Sequence, residues 1–145
     1  MRHYTQEDLQ YLFEENTRSL VNDLSTKAVL CSIRILDTTG KFLVSATRFS
    51  SDNSPDVPEM EETIPVAGTV GGDAVKIQKI QEVPDLAQDP RFSNKKIIDA
   101  GYTSMMAVPI IFKGEVKGVA QIYSKTKGYK FSKNEKNMAM TIANN

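Results

Sequence analysis

Residues that could perform covalent or metal chemistry are scarce in this sequence. Its 145 residues include one cysteine, Cys31, and one histidine, His3. A lone cysteine cannot form an internal disulfide, and it cannot supply the paired thiols of a zinc knuckle or a CxxC redox motif. His3 lies among the first residues, so no histidine-based metal site or acid–base pair is expected in the core. These counts exclude most metalloenzymes and serine hydrolases, and they suit a reducing compartment.

Cys31 itself is predicted to be a buried apolar residue. Residues 28–36 alternate with period two, which places Cys31 with Val29, Ile33 and Ile35 on one apolar face of a strand. A reactive thiolate needs an exposed, electropositive site. The sequence therefore predicts an inert thiol that a probe does not label quickly in the folded protein.

The remaining polar groups suit noncovalent binding. The segment AGTVGG, residues 67–72, places glycines at the start of a predicted helix, where free backbone N–H groups could bind an anion or the glycines could serve helix packing alone. Arg34 and Arg91 could hold an anionic group, but arginines are more often solvated or paired with a carboxylate, and that is the expectation here. Asp85 and Asp89 are predicted to cap turns.

The overall composition describes one domain without a bulk electrostatic partner. The chain has 18 basic and 18 acidic side chains, so its net charge does not attract nucleic acid or an anionic membrane. Lysines are frequent from residue 113 to residue 136, but aromatic residues and arginines are not regularly interleaved with them, so a nucleic-acid surface is not predicted. No apolar run reaches the roughly 18 residues of a membrane span, and the N-terminal sequence is too polar for a secretory signal. A cytoplasmic location is expected.

Apolar periodicity and turn residues predict the elements. A helix is expected over residues 5–24, with apolar side chains at Leu9, Leu12, Phe13, Leu20 and Leu24 on one stripe. Strands are predicted at 28–36, 42–49, 63–66, 77–83, 103–112 and 116–124, with turns at 37–40 and 113–115. Short helices are predicted at 67–76 and 94–100, and a capping box of Ser132 and Glu135 begins the last helix.

Two features refine this assignment. Pro65 assigns the third strand to a sheet edge, since proline cannot donate a ladder hydrogen bond in a central strand. Residues 50–62 contain two prolines and five acidic residues, which predicts a solvated loop; a flap over a pocket is the functional alternative. Hairpins near both ends of the strand set imply an α+β fold with a mostly antiparallel sheet.

Four segments in sequence order resemble the GAF domain family. They are VPDLAQDPRF (83–92), GYTSMMAVPI (101–110), GEVKGVAQI (114–122) and FSKNEKN (131–137). The resemblance implies a central antiparallel sheet of about six strands, with the terminal helices on one face. On the other face, residues 66–75 and 84–102 are expected to form a roof over a small-molecule pocket. The domain is assigned to residues 28–145, and residues 1–27 to a helix for linkage or dimerisation.

The resemblance also suggests which residues bind the ligand. Hydroxyl groups come from Thr69, Ser93 and Ser104, and a carboxylate comes from Asp99. Phe92 and Tyr102 offer rings, and Val70 offers an apolar contact beside the glycines. The alternative for Phe92 is a core position that needs no ligand.

This sequence can also be compared with the residues that specialised members of the family require. Bilin-binding members carry a cysteine after the DPRF-like turn, and haem-binding members need an axial histidine; neither residue is in place, so no cofactor is predicted. Free methionine sulfoxide reductases use cysteines where this chain has AGTVGG and AGYTSMM, so that activity is not expected. The N-K-x-F-D-E set of cyclic-nucleotide binders is matched only in part, by Asn94, Lys95, Phe131, Asn134 and Glu135.

The resemblance predicts a function without catalysis. The chain is expected to be a sensory domain of a larger signalling protein, such as a two-component histidine kinase, that binds an unknown small molecule and relays binding to a covalently linked output domain. A homodimer through the terminal helices is expected, because the apolar stripe of residues 5–24 needs a partner. The alternative is a structural dimerisation module with no ligand.

Overall fold

A computed structural model of the chain describes residue 15 and residues 30–50 and 61–144. Within these ranges, six strands form one antiparallel sheet in the order β3-β2-β1-β6-β5-β4. The strands are β1 Leu30–Leu36, β2 Phe42–Ser50, β3 Thr63–Pro65, β4 Gln81–Val83, β5 Ser104–Phe112 and β6 Glu115–Ser124. The predicted α+β architecture with a six-stranded antiparallel sheet is confirmed.

Short turns connect the longer strands as the sequence predicts. Lys113 and Gly114 join β5 to β6, with φ values of 51° and 79°. Two successive residues with positive φ twist the chain in the sense that a two-residue hairpin needs. In the turn between β1 and β2, the Asp37 carboxylate accepts from Thr39 Oγ1 at 2.7 Å and from the Phe42 amide at 3.3 Å. The positive-φ pair shapes the β5–β6 turn, and the Asp37 hydrogen bonds stabilise the β1–β2 turn.

The sheet ends at β3 on one side and at β4 on the other. Pro65 pairs with Phe42 in the β3 edge strand, which confirms the position that its missing N–H predicts. β4 is shorter than expected. Ile77 closes the preceding helix and Gln78 adopts φ 59° and ψ 36° as its C-cap, so the strand begins at Gln81 instead of residue 77.

Three α-helices surround the sheet among the described residues, namely α1 Val70–Ile77, α2 Lys95–Asp99 and α3 Lys133–Ala143, and a 3-10 helix covers Leu86–Gln88. α1 begins three residues later than predicted, because Thr69 serves as its N-cap. α2 is preceded by its N-cap Asn94, and Gly101 follows its end at φ 99°, as predicted for a glycine stop. The Ser132–Glu135 capping box of α3 is present with both hydrogen bonds. None of the helices in these ranges is long and apolar enough to cross a membrane.

The two faces of the sheet carry separate cores. The helix-side core lies against α3 and contains Cys31, Ile33, Met106 and Ile122 with Phe131, Ala139 and Ala143 from the C-terminal segment. The roof-side core joins residues such as Leu30, Met105 and Val119 to Val70 and Ala74 of α1 and to Leu86 and Ile97. The predicted roof, residues 66–75 and 84–102, therefore covers one face and the C-terminal helix covers the other.

Two predicted elements cannot be placed on this fold. The N-terminal helix at residues 5–24 lies outside the described residues apart from Glu15, which is helical. Most of the predicted loop at residues 50–62 also lies outside them. The assignment of residues 1–27 and 28–145 to separate units stays a prediction.

Candidate functional site

The centre of the roof-side face carries three polar side chains. On β1, residues alternate between faces, so Arg34 points to the roof side while Cys31 and Ile33 join the helix-side core. On β6, Gln121 and Tyr123 lie on the same side as Arg34, and Gln121 is opposite Ser32 across the β1–β6 pair. Arg34, Gln121 and Tyr123 are only 3%, 4% and 2% exposed. They form a buried polar floor beneath the roof.

A cavity of about 50 Å³ separates this floor from the roof. Such a volume holds roughly three to five water-sized groups. The remaining lining residues come from the roof, from the chain entering β3 and from β3 itself, namely Thr69, Val70, Arg91, Phe92, Ser93 and Asn94, then Glu61, then Ile64. Because Glu61 and Ser93 are exposed, the cavity opens to solvent on their side. We refer to this cavity as the pocket.

Arg34 is held by backbone carbonyl groups. Its Nη2 atom donates to Glu61 O at 2.7 Å, and its Nη1 atom donates at 3.5 Å to both Leu43 O and Glu62 O. The Nε atom is buried and has no hydrogen-bond partner among the described residues. Burial lowers the pKa of the guanidinium, an effect opposed by nearby Tyr123 and Glu61. The expectation that Arg34 is solvated or paired with a carboxylate is wrong, because a central strand is covered on both faces.

The neighbours of Arg34 on the floor are also shielded from water. Burial raises the pKa of the Tyr123 phenol, which stays neutral at physiological pH. Its ring lies 6.0 Å from that of Phe92 and 6.1 Å from that of Tyr102, between ring centroids. Gly71 of α1 makes room for the carboxamide of Gln121, since a Cβ atom at that glycine would lie 3.0 Å from Nε2. Helix α1 therefore packs closely over the polar floor.

The glycines of the AGTVGG segment serve this close packing. A Cβ atom on Gly72 would lie 1.6 Å from the carbonyl oxygen of Val66. The Thr69 hydroxyl accepts from Gly72 N at 3.1 Å and donates to Pro65 O at 2.7 Å. Both hydrogen-bonding roles of that hydroxyl are thus used locally. Thr69 lines the pocket as a helix cap.

Arg91 connects the two parts of the roof. Its Nη2 atom lies 2.8 Å from Asp89 Oδ2, and its Nη1 atom lies 2.9 Å from Asp73 Oδ2 on α1. The hydrogen bonds from Arg91 lower the pKa of the Asp89 carboxyl. The predicted pairing of Arg91 with a carboxylate is confirmed, and its charge is balanced within the roof. Arg34 is therefore the pocket's cation without an ion pair among the described residues.

The predicted binding residues divide into two groups. Thr69, Val70, Phe92 and Ser93 line the pocket. Asp99, Tyr102 and Ser104 do not. Asp99 is exposed at the end of α2, and Tyr102 is buried behind Tyr123, with the Lys125 ammonium 5.0 Å from its ring centroid. Ser104 alternates with Met105 along β5 and shares the face of Met106 in the helix-side core, so the strand directs it away from the pocket.

Sequence reasoning missed the polar floor of Arg34, Gln121 and Tyr123. A signal was available, since Arg34 is the charged residue of a mostly apolar strand, and a polar side chain buried on a central strand needs a partner. Which residues meet on the floor depends on the β1–β6 register, which the sequence does not reveal. In the described ranges, no group of three or more His, Cys, Asp or Glu side chains is arranged to hold a metal ion.

Comparison with known proteins gives one family and several similar structures. A model of the GAF domain family matches residues 6–145. The GAF domain of a two-component sensor histidine kinase from Bacillus halodurans superposes with a TM-score of 0.72 at 16% identity, covering 97% of this chain and 90% of that one. A GAF domain/HD domain protein from Geobacter sulfurreducens gives 0.70 at 13% identity, covering 94% and 87%.

Enzymes are also among the similar structures. The type II free methionine-R-sulfoxide reductase from Thermoplasma acidophilum gives a TM-score of 0.68 at 20% identity, covering 91% of this chain and 89% of that one. These identities are too low to carry function, so the structural matches establish the fold.

Proposed function

Because the chain belongs to the GAF domain family, whose members are commonly sensory, we propose that it is a non-catalytic regulatory domain. It binds a small molecule in the pocket and relays binding to an output domain of a larger signalling protein. The histidine kinase among the similar structures is one example of such a protein. We place the domain in the cytoplasm.

The observation that carries this proposal is the buried polar floor under a roof of two connected segments. Evolved cores avoid burying a guanidinium with a donor that has no acceptor, because desolvation of an unpaired charge costs several kcal/mol. An arrangement of this kind is instead expected where a ligand supplies the missing partner. The floor binds the ligand from below, and the roof, joined by the Arg91–Asp73 ion pair, can open and close over it on the side next to Ser93.

The position of α3 supports the proposed relay to an output domain. Strand β1 contributes Arg34 to the pocket and Cys31 and Ile33 to the core beneath α3. A ligand changes the equilibrium between two states of the domain only if it binds them with different affinity. Closure of the roof over the ligand provides that difference.

A thermal-shift screen with nucleotides, amino acids and small organic acids tests ligand binding, because a ligand that binds only the folded state raises the melting temperature. We expect specific stabilisation by one chemical class. Ser93→Trp, at the open side of the pocket, should abolish it, whereas Lys127→Trp, in an exposed turn, should not. A flat screen would favour the alternative of a structural module without a ligand.

We test the proposed absence of catalysis by assaying the chain for the activity of the similar methionine sulfoxide reductase. Cys31 is fully buried, and desolvation raises its pKa to about 12, so the thiol is neither accessible nor ionised. We expect no turnover of free methionine sulfoxide with a thiol reductant. Turnover that Cys31→Ala abolishes would make the chain an enzyme.

We also propose a homodimer through the terminal helices, supported by the apolar stripe of Leu9, Leu12, Phe13, Leu20 and Leu24. Sedimentation at high micromolar concentration should show a dimer that Leu12→Asp dissociates. Glu15→Asp, which leaves the stripe intact, is the control. A strict monomer contradicts this part of the proposal.

A further inference from the structure

We propose that the ligand of the pocket carries a carboxylate, which Arg34 binds, and that it is a short-chain monocarboxylic acid. This inference rests on the proposed function, since it names the chemical class of the small molecule that the pocket binds. Nothing in the family assignment specifies it.

The first argument is the balance of donors and acceptors at Arg34. A guanidinium has five N–H donors and no acceptor. Among the described residues, three acceptors reach it: two for Nη1, both at 3.5 Å, and one for Nη2 at 2.7 Å. The Nε–H group and one N–H of Nη2 remain. Two N–H groups on one planar fork match the two oxygens of a carboxylate.

The second argument is charge. Each of those three acceptors is a neutral carbonyl of Leu43, Glu61 or Glu62, so none of them compensates the positive charge of Arg34. Arg91, the other cation lining the pocket, is already balanced by Asp73 and Asp89. The Glu61 carboxylate acts on Arg34 through space, but Arg34 forms no ion pair among the described residues, so the floor lacks a negative charge in contact with it. The Glu61 side chain on the open side remains solvated and repels a second one, which favours a monoanion over a phosphate dianion.

The third argument is size and surroundings. About 50 Å³ of cavity accommodates roughly three to five water-sized groups, which a carboxylate with one or two further carbons fills. Phe92, Ile64 and Val70 provide apolar contacts for that carbon chain. Gln121 and Tyr123 offer an amide and a hydroxyl to a substituent next to the carboxylate.

The experiment compares acids with neutral molecules of the same shape. Acetate, propionate and glycolate are titrated against acetamide and propionamide at constant ionic strength set with sodium chloride, and binding is followed by calorimetry and by the Arg34 Nε–H resonance in ¹⁵N-edited NMR spectra. We expect the acids to bind and to shift that resonance, and the amides to do neither. Nitrate and inorganic phosphate are included to test whether any oxyanion suffices.

Variants assign the effect to Arg34. Arg34→Lys retains the charge and loses the planar fork, so its Kd for the acids should rise about tenfold or more. Arg48→Gln, which changes an exposed arginine of β2, should bind as the wild type does. If Arg34→Lys does not fold, the NMR titration of the wild-type protein decides.

The outcomes separate this inference from the proposed function. Binding of acids and amides with equal affinity, an unmoved Nε–H resonance, or tighter binding of phosphate overturns the carboxylate assignment. If neutral compounds bind at the pocket and Arg34→Lys leaves them unaffected, the sensory function stands and the inference fails. If none of the acids, amides, oxyanions or screened compounds binds, both fail.

Discussion

Arg91 and Asp73 join two segments that are 18 residues apart in the sequence, through a 2.9 Å contact between Nη1 and Oδ2. Asp73 lies in the first turn of α1, and Arg91 follows the turn that Asp89 stabilises. The contact therefore fixes the distance between the two halves of the roof. In the proposed function, this contact resists separation of the two parts of the roof.

The Arg91–Asp73 pair should contribute measurably but modestly to stability. Its side chains are 29% and 28% exposed, so a double-mutant cycle with Arg91→Gln and Asp73→Asn should give a coupling energy of about 1 kcal/mol or less. The Lys117–Glu115 pair, with a 2.7 Å contact but side chains 33% and 74% exposed, is the matched control and should show no measurable coupling. Equal coupling in both pairs would contradict this assignment.

Acid should remove the contribution of Asp89. The Arg91 hydrogen bonds hold the folded-state pKa of Asp89 below its ordinary value of 3.8, so this contribution is present above that pH and is lost as pH falls through the folded-state pKa. Asp89→Asn should therefore be less stable than the wild type at pH 7, and the difference should shrink below about pH 4. Urea unfolding between pH 3 and pH 7 measures it. A stability difference between the two proteins that does not change with pH would show that protonation of Asp89 does not affect folding.

Alkaline pH should weaken the fold through Cys31. Its pKa rises from 9.0 to about 12 on burial, so above pH 9 the unfolded chain loses a proton that the folded chain keeps, and folding becomes less favourable. The stability advantage of the wild type over Cys31→Ala should fall by about 1.4 kcal/mol per pH unit above pH 9. Denaturant unfolding from pH 8 to 10.5 under reducing conditions tests this. A constant advantage would mean that the thiol is not desolvated.

Gly72→Ala should be far more harmful than Gly68→Ala. Gly72→Ala places a Cβ atom 1.6 Å from the Val66 carbonyl oxygen, which forces α1 away from the Val66 backbone. Its cost is about 3 kcal/mol or more. Gly68 has φ 77° and nothing within 4 Å of the added atom, so its cost is the roughly 1–2 kcal/mol of a left-handed residue. Comparable urea midpoints for the two variants would show that α1 adjusts freely.

Much of the fold could be predicted because its determinants are local. The Lys113–Gly114 turn, the Ser132–Glu135 capping box and the position of Pro65 each follow from a few neighbouring residues. The start of α1 was predicted too early, because residues 67–69 form the turn and cap that precede it. The strand predicted at residues 77–83 is present but starts at Gln81, because Ile77 is an apolar side chain 55% exposed at a helix end.

The site could be predicted only in part. Thr69, Val70, Phe92 and Ser93 belong to contiguous segments of the roof, so a linear comparison with the family locates them. Arg34, Gln121 and Tyr123 come together through the pairing of β1 with β6, which are about 90 residues apart and whose register depends on the whole sheet. Ser104 is predicted to line the pocket but lies on the other face of β5, because an error of one position along a strand transfers a side chain to the opposite face.

Successive side chains of β1 point to opposite faces of the sheet, so only one strand separates the pocket from the layer under the C-terminal helix. Arg34 and Ile33 are consecutive residues, yet one borders the cavity and the other belongs to the hydrophobic layer on which α3 rests. If a bound ligand tilted this strand, the residues at the pocket and those under α3 would move together. In the proposed function, β1 itself would therefore link ligand binding in the pocket to α3, without a chain of intermediate residues.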